Sequence, residues 1–446
     1  MKALVRSVVA VVGVWLLLGC GATASGAGEV PQPLWVRVAK PTPLKVGEQV
    51  VGEVARGSIL RVESEEAGWL WVEVDGKKGR IRSTQVQRGQ LLGDGVVGFR
   101  LGAVLAPLGE LVMSRSGGHF AYPALRIGMG GIVCVVLDGQ AGRAYEGIVK
   151  DTLLFSPDGR RFAYAAGKGE KRFVVLDGQE GPAYEGIAEG SLLFSPDGRR
   201  FAYGARKGEK WLVVVDGQEG PAYDGIGALL FSPDGRRFAY GAIKGGKQLV
   251  VLDGQEGPAY DGIGAGSLVF SPDGRRFAYG AEKGGKQLVV LDGQEGPAYD
   301  GIARDTLVFS PDGRRFAYGA RKGEKRFVVL DGQEGPAYDG IGALLFSPDG
   351  RRFAYGAGKG DKQLVVLDGQ EGPAYDGIVE GSLVFSPDGR RFAYAAGKGE
   401  KRFVVLDGQE GPAFEAIVTG TLVARPDGAV SYYAVKEDRF WHILHR

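Results

Sequence analysis

Cysteine, histidine and methionine are all scarce in this chain of 446 residues, at two, three and three copies. Cys20 and Cys134 stand in very different surroundings, which excludes a disulfide framework. Three histidines (His119, His442 and His445) leave no material for a His-rich metal centre. An excess of charge of one sign is also missing. Lys plus Arg is 55 and Asp plus Glu is 53, so the net charge is +2 and there is no electrostatic footprint for nucleic acid. No Gly-x-Ser-x-Gly elbow, His-Glu-x-x-His, phosphate loop or Cys-x-x-Cys occurs. The common motifs of catalysis and cofactor binding are therefore absent, and no cofactor is expected.

Glycine is what the chain has instead, with 77 copies. A helix interior loses about 1 kcal/mol per Gly relative to Ala, which disfavours long helices. No Gly-X-Y period runs through the chain, so collagen is excluded. With 44% hydrophobic and 10% aromatic residues there is ample material for a core, so disorder is excluded too.

The single long apolar run lies at the start. Lys2 and Arg6 precede Val8 to Leu18, which is short for a membrane span, and Leu17-Leu18-Gly19-Cys20 follows. This run resembles a bacterial lipobox. The resemblance implies a signal peptide over residues 1–19, lipid attachment at Cys20, export, and a membrane anchor on the periplasmic or outer-membrane side. Residues 20–33, rich in Gly, Ala and Ser and closing on Pro-Gln-Pro, read as a flexible tether.

Residues 34–88 have a different texture. Leu34–Val38, Val50–Ala55, Gly57–Val62, Gly68–Val74 and Gly79–Arg82 read as five short strands of a small β-barrel. The order resembles a bacterial Src-homology-3-like domain, notably in Gly68-Trp69-Leu70-Trp71-Val72 followed by Asp75-Gly76. That resemblance implies binding of cell-wall peptides or proteins, with Trp69 or Trp71 lining a groove. The family's usual Gly-Trp after the Asp-Gly turn is here Gly79-Arg80. Packing of both tryptophans against the barrel is the competing reading.

From residue 111 a single phrase recurs. Phe-Ser-Pro-Asp-Gly-Arg-Arg-Phe-Ala-Tyr starts at Phe155, Phe194, Phe231, Phe270, Phe309, Phe346 and Phe385, with divergent copies at Met113 and Ala424. The spacings are 42, 39, 37, 39, 39, 37, 39 and 39 residues. In the unit 267–305, four strands are expected, at Leu268–Phe270, Phe277–Tyr279, Leu288–Leu291 and from Ala298 to Ile302. Tight Asp-Gly type turns between them predict an antiparallel meander. Consecutive apolar positions require burial of both sheet faces, which sheets stacked around an axis provide. The fold expected is all-β: a β-propeller of eight or nine four-stranded blades over residues 95–446, preceded by the small barrel. The last unit lacks a fourth strand, which Gly95 to Leu105 is expected to supply. The Ser-Pro-Asp-Gly phrase also resembles the Pro-Asp repeat of TolB-type propellers.

Each Ser-Pro-Asp-Gly turn has one carboxylate, too few for calcium, and its Asp reads as a cap of backbone donors. The Arg-Arg pair that follows is expected to meet acids of the Asp-Gly-Gln-Glu-Gly turn. His119, where other repeats have Arg, reads as an end variant, and Cys134 as a buried filler in an apolar strand. Fourteen lysines fall in the second-to-third loops: Lys168, Lys171, Lys207, Lys210, Lys244, Lys247, Lys283, Lys286, Lys322, Lys325, Lys359, Lys362, Lys398 and Lys401. A ring of ammonium groups can hold an anionic polymer or an acidic protein, and a solvated rim is the alternative. The favoured function is a non-enzymatic envelope scaffold that binds envelope proteins or cell-wall polymer. A funnel enzyme and a spacer without a ligand are the alternatives.

Overall fold

The computed structural model describes residues 35–38, 41–46, 48–54, 59–66, 69–74, 77–88, 90–93, 96–98, 106–125 and 132–446. The expected signal peptide, the tether and Cys20 lie outside them. Two compact units divide the chain, residues 1–100 and 101–446.

In the first unit seven strands form one antiparallel sheet. A single core draws on every strand, from Val38, Leu44 and Val54 through Leu60, Leu70 and Ile81 to the half-buried Val86. The sheet therefore wraps around that core in the manner of a small barrel. Two of its strands were not expected, Thr42–Val46 and Val86–Arg88. Pro43 disguises the first of them. It is accommodated because that strand pairs fully with Gln49–Val54 but touches Lys77–Arg82 only at Lys45 and Arg80.

Among its described residues the second unit is a β-propeller array of nine blade-like sheets, each an antiparallel meander. Blade 5 shows the pattern. Its first strand is split into Gly262–Ile263 and Val269–Phe270, and both halves pair with Phe277–Lys283. Lys286–Leu291 and Gln294–Glu295 complete it, with a bridge from Gln287 to Tyr299. Gly301–Ile302, expected to end the fourth strand, instead opens the first strand of blade 6. Segments such as Ala303–Thr306 are consequently loops inserted in a first strand, and do not connect blades. In blades 4 and 7 the insert is two residues shorter, and Gly225–Phe231 and Gly340–Phe346 run unbroken with a bulge.

The turns explain why glycine recurs. Asp292 and Gly293 both have positive φ (51° and 83°), the type I′ geometry that matches the twist of a hairpin. Packing follows the repeat. Phe316, Tyr318 and Val329 of blade 6 close on Ala278 and Val289 of blade 5, and equivalent clusters join successive blades along the array.

The ninth blade departs from this pattern. It has a split first strand, Val430–Lys436 and Arg439–His445, and among the described residues no fourth strand. Val96–Gly98, part of the segment expected to supply one, pairs instead with Gln90–Gly93. Residues 99–105 lie outside the described set. The face that a following blade covers elsewhere is open here. Phe440 is 80% exposed and Tyr433 and Leu444 are each 46% exposed. The opposite end differs again, since Tyr122, Ala124, Cys134 and Val136 of blade 1 are buried. The described residues show no hydrogen bond and no apolar cluster between blade 9 and blade 1.

Candidate interaction surfaces

One surface of the array carries the second-to-third loops and the links between blades. Thirteen of the fourteen loop lysines stand against a carboxylate. Lys168 bonds Glu180 of its own blade at 2.9 Å, and Lys171 bonds Glu185 of the following link at 2.7 Å. Glu185 also accepts from the Gly208 backbone in the next blade, so one carboxylate ties two blades together. The Lys171 ammonium lowers its pKa to about 2, with the backbone donors adding to the effect. Glu180 accepts from the Tyr145 hydroxyl of the preceding blade as well. The sequence reading of a lysine ring missed these partners because the acids sit in strands and links outside the lysine loops. Their spacing was a usable signal: each acid follows its lysine by 12 or 14 residues.

The opposite surface carries the Ser-Pro-Asp-Gly turns. In blade 3, Asp197 Oδ1 accepts from the Ser195 hydroxyl at 2.6 Å and from the Arg199 backbone at 3.1 Å. The Ser195 bond holds its carboxyl below the usual Asp range, helped by that backbone donor. The second arginine of each pair reaches the Asp of the third-to-fourth turn. Arg161 Nε lies 3.0 Å from Asp177 Oδ2, and its Nη1 donates to the Arg199 carbonyl of the next blade at 2.9 Å. The same Arg–Asp bond recurs in seven blades. The expectation that arginines meet this turn thus holds for its Asp, whereas its Glu faces the lysines. The first arginines are open to solvent and stand 3.7–3.9 Å from their own Asp.

His119 is engaged similarly, with Nδ1 2.8 Å from Asp138 Oδ2. Cys134 is wholly buried. In the barrel, Leu70 and Val72 point into the core, while the alternate residues Trp69 and Trp71 are half-buried on the outer face. Arg80 and Arg82 lie 4.5 and 4.0 Å from the Trp69 ring centroid. Trp69 is thus flanked by cations, and Trp71, paired with Arg80, continues the strip.

Between blades 5 and 6, about 460 Å³ is lined by Gly264, Gly266, Ser267, Glu282, Arg304 and Asp305. On the arginine surface, clefts between blades 2 and 3 and between blades 3 and 4 repeat the same Arg, Asp and Tyr lining. Among the described residues no group of His, Cys, Asp and Glu forms a metal site, and no helix is long and apolar enough to cross a membrane.

No family model matches the chain, and no curated protein matches it. Solved structures do match, several of them described as β-propellers. A eukaryotic initiation factor is 12% identical over 78% of this chain and 97% of its own, with a TM-score of 0.35. TolB from Acinetobacter baumannii is 20% identical over 59% of this chain and 64% of its own, with a TM-score of 0.25. The β-propeller domain of the trilobed protease from Pyrococcus furiosus is 15% identical over 56% of this chain and 90% of its own, with a TM-score of 0.26.

Proposed function

We propose that this chain is a non-enzymatic scaffold of the bacterial envelope, exported, anchored through a lipid on Cys20, and made of a small binding barrel and a rigid propeller array. One observation carries the scaffold reading. Across the repeated blades thirteen of the fourteen loop lysines and the second arginines are bonded to acids or to the next blade, so the polar chemistry of the repeat serves rigidity. Contacts with partners then fall to the parts that do not repeat. The barrel's outer strip of Trp69, Trp71, Arg80 and Arg82 offers aromatic surface with positive charge, suited to an acidic envelope protein or cell-wall polymer. The sequence resemblance of the Ser-Pro-Asp-Gly phrase to TolB-type repeats, and of Gly68–Val72 to Src-homology-3-like domains, supports the same location and role.

Two measurements test the reading. Labelling with a palmitate analogue should mark the wild-type chain and spare Cys20→Ala, which should also leave the membrane fraction. Label that persists in Cys20→Ala removes the anchor from the proposal. Pull-down from solubilised envelopes should lose its partner on Trp69→Ala with Trp71→Ala, and keep it when the fourteen loop lysines become Gln. The reverse pattern would return the binding site to the lysine surface.

A further inference from the structure

Third strands of the interior blades are covered along their outer edge by an antiparallel fourth strand. In blade 5, Val290 and Leu291 pair with Glu295 and Gln294, and Gln287 pairs with Tyr299. The Arg439–His445 strand of blade 9 has no such neighbour among the described residues, which leaves a seven-residue edge open. Open edges of this length are templates for another strand, and proteins ordinarily blunt them with charge or proline. Here the opposite has happened. Phe440 stands where blades 2 to 8 have Arg, Gln or Trp, and Trp441 stands where they have Leu or Phe.

We infer that the Arg439–His445 strand is a self-association edge, which pairs with the same strand of a second copy of this chain across a two-fold axis. The residue order favours this occupant. Arg-Phe-Trp-His-Ile-Leu-His is close to a palindrome about His442. A two-fold axis through His442 sets identical strands antiparallel, the orientation the interior edges already use. It places Phe440 opposite Leu444 and Trp441 opposite Ile443, apolar cross-strand pairs that stabilise a sheet. The two blades then form one continuous six-stranded sheet.

Head-to-tail stacking of a second copy does not fit. The face of blade 1 that would cover blade 9 is already buried. The outer face of blade 9 is also reshaped. Tyr433 replaces the Gly or Ala of the repeat and stacks on His442, which replaces a Val, with ring centroids 4.7 Å apart. At the equivalent Gly204, even an added Cβ would come within 2.2 Å of Ile226 in the next blade. The inference is independent of the envelope reading, because it concerns the purified chain alone.

Cysteine cross-linking in a Cys20→Ser background tests the register. Oxidised His442→Cys should form a disulfide-linked dimer, since the two-fold sets residue 442 opposite itself. Leu444→Cys alone should not, whereas Leu444→Cys mixed with Phe440→Cys should. Sedimentation of the full chain in mild detergent should show a concentration-dependent dimer, and Phe440→Asp should weaken it at least tenfold with an unchanged circular dichroism spectrum. A monomer at all concentrations overturns the inference, as does equal cross-linking of Leu444→Cys with itself. Hydrogen-exchange protection, in a monomer, of the alternate 439–445 amides that point away from Val430–Lys436 also overturns it, because the edge is then covered within one chain.

Discussion

The glycine of each Ser-Pro-Asp-Gly turn answers two demands at once. Gly274 has φ of +72°, where an L-residue is strained by roughly 1–2 kcal/mol. A Cβ there would also stand 2.7 Å from Asp234 Oδ1 of the preceding blade, while at Gly284 (φ +60°) it would meet open space. Gly274→Ala should therefore cost the backbone strain plus about 1–3 kcal/mol of overpacking, and Gly284→Ala the strain alone. Urea midpoints of the two variants measure the difference, and equal midpoints would show that the blades yield at this contact. Sequence reading alone identified the turn glycine but not its neighbour, because the contact joins residues one repeat apart in adjacent sheets.

At the scale of the blade, each junction repeats the same heterologous contact, and an array of such contacts does not require a fixed number of units. Deleting residues 270–308 joins equivalent positions of blades 5 and 6. It should leave a folded chain whose urea m-value falls by about one part in nine, in step with the surface buried. Loss of cooperative unfolding in that variant would show that the ends depend on one another. The four-strand meander was legible because Asp-Gly turns and apolar runs alternate within one repeat. The split of the first strand was not. Ala303-Arg304-Asp305-Thr306 looks like any connection, and only the pairing of Gly301–Ile302 with Ala320–Arg321 assigns it to a strand interior. The open last face was equally hidden, since Tyr433 and Phe440 read as ordinary strand residues until their coverage is known.

For the whole molecule, carboxylates held below their ordinary pKa recur along the array. Asp197, Asp234, Asp273, Asp312, Asp349 and Asp388 are all lowered, chiefly by the neighbouring Ser hydroxyl, and Glu185 is lowered to about 2 by Lys171. Their folded pKa lies under the unfolded one, so the unfolded chain binds more protons as the solution turns acid. The stability they contribute is complete above about pH 4.5 and is lost as pH falls toward 2. Melting temperature should be level from pH 7 to 5 and drop steeply between 4.5 and 2. A flat acid limb would mean that these bonds contribute no net stability.

Near-identical junctions also leave the chain with an indexing problem during folding. The apolar face of blade 3 can accept blade 4 or, with one unit looped out, blade 5, because the same side chains arrive either way. Blades 4 and 7, whose first strands run unbroken, differ from the others within the sheet, where Gly227 of the first strand lies against Gly241 of the second and Gly342 against Gly356. They act as page numbers. A skipped blade would set a short first strand against the wrong partner, and these two sites are where such an error would be felt first.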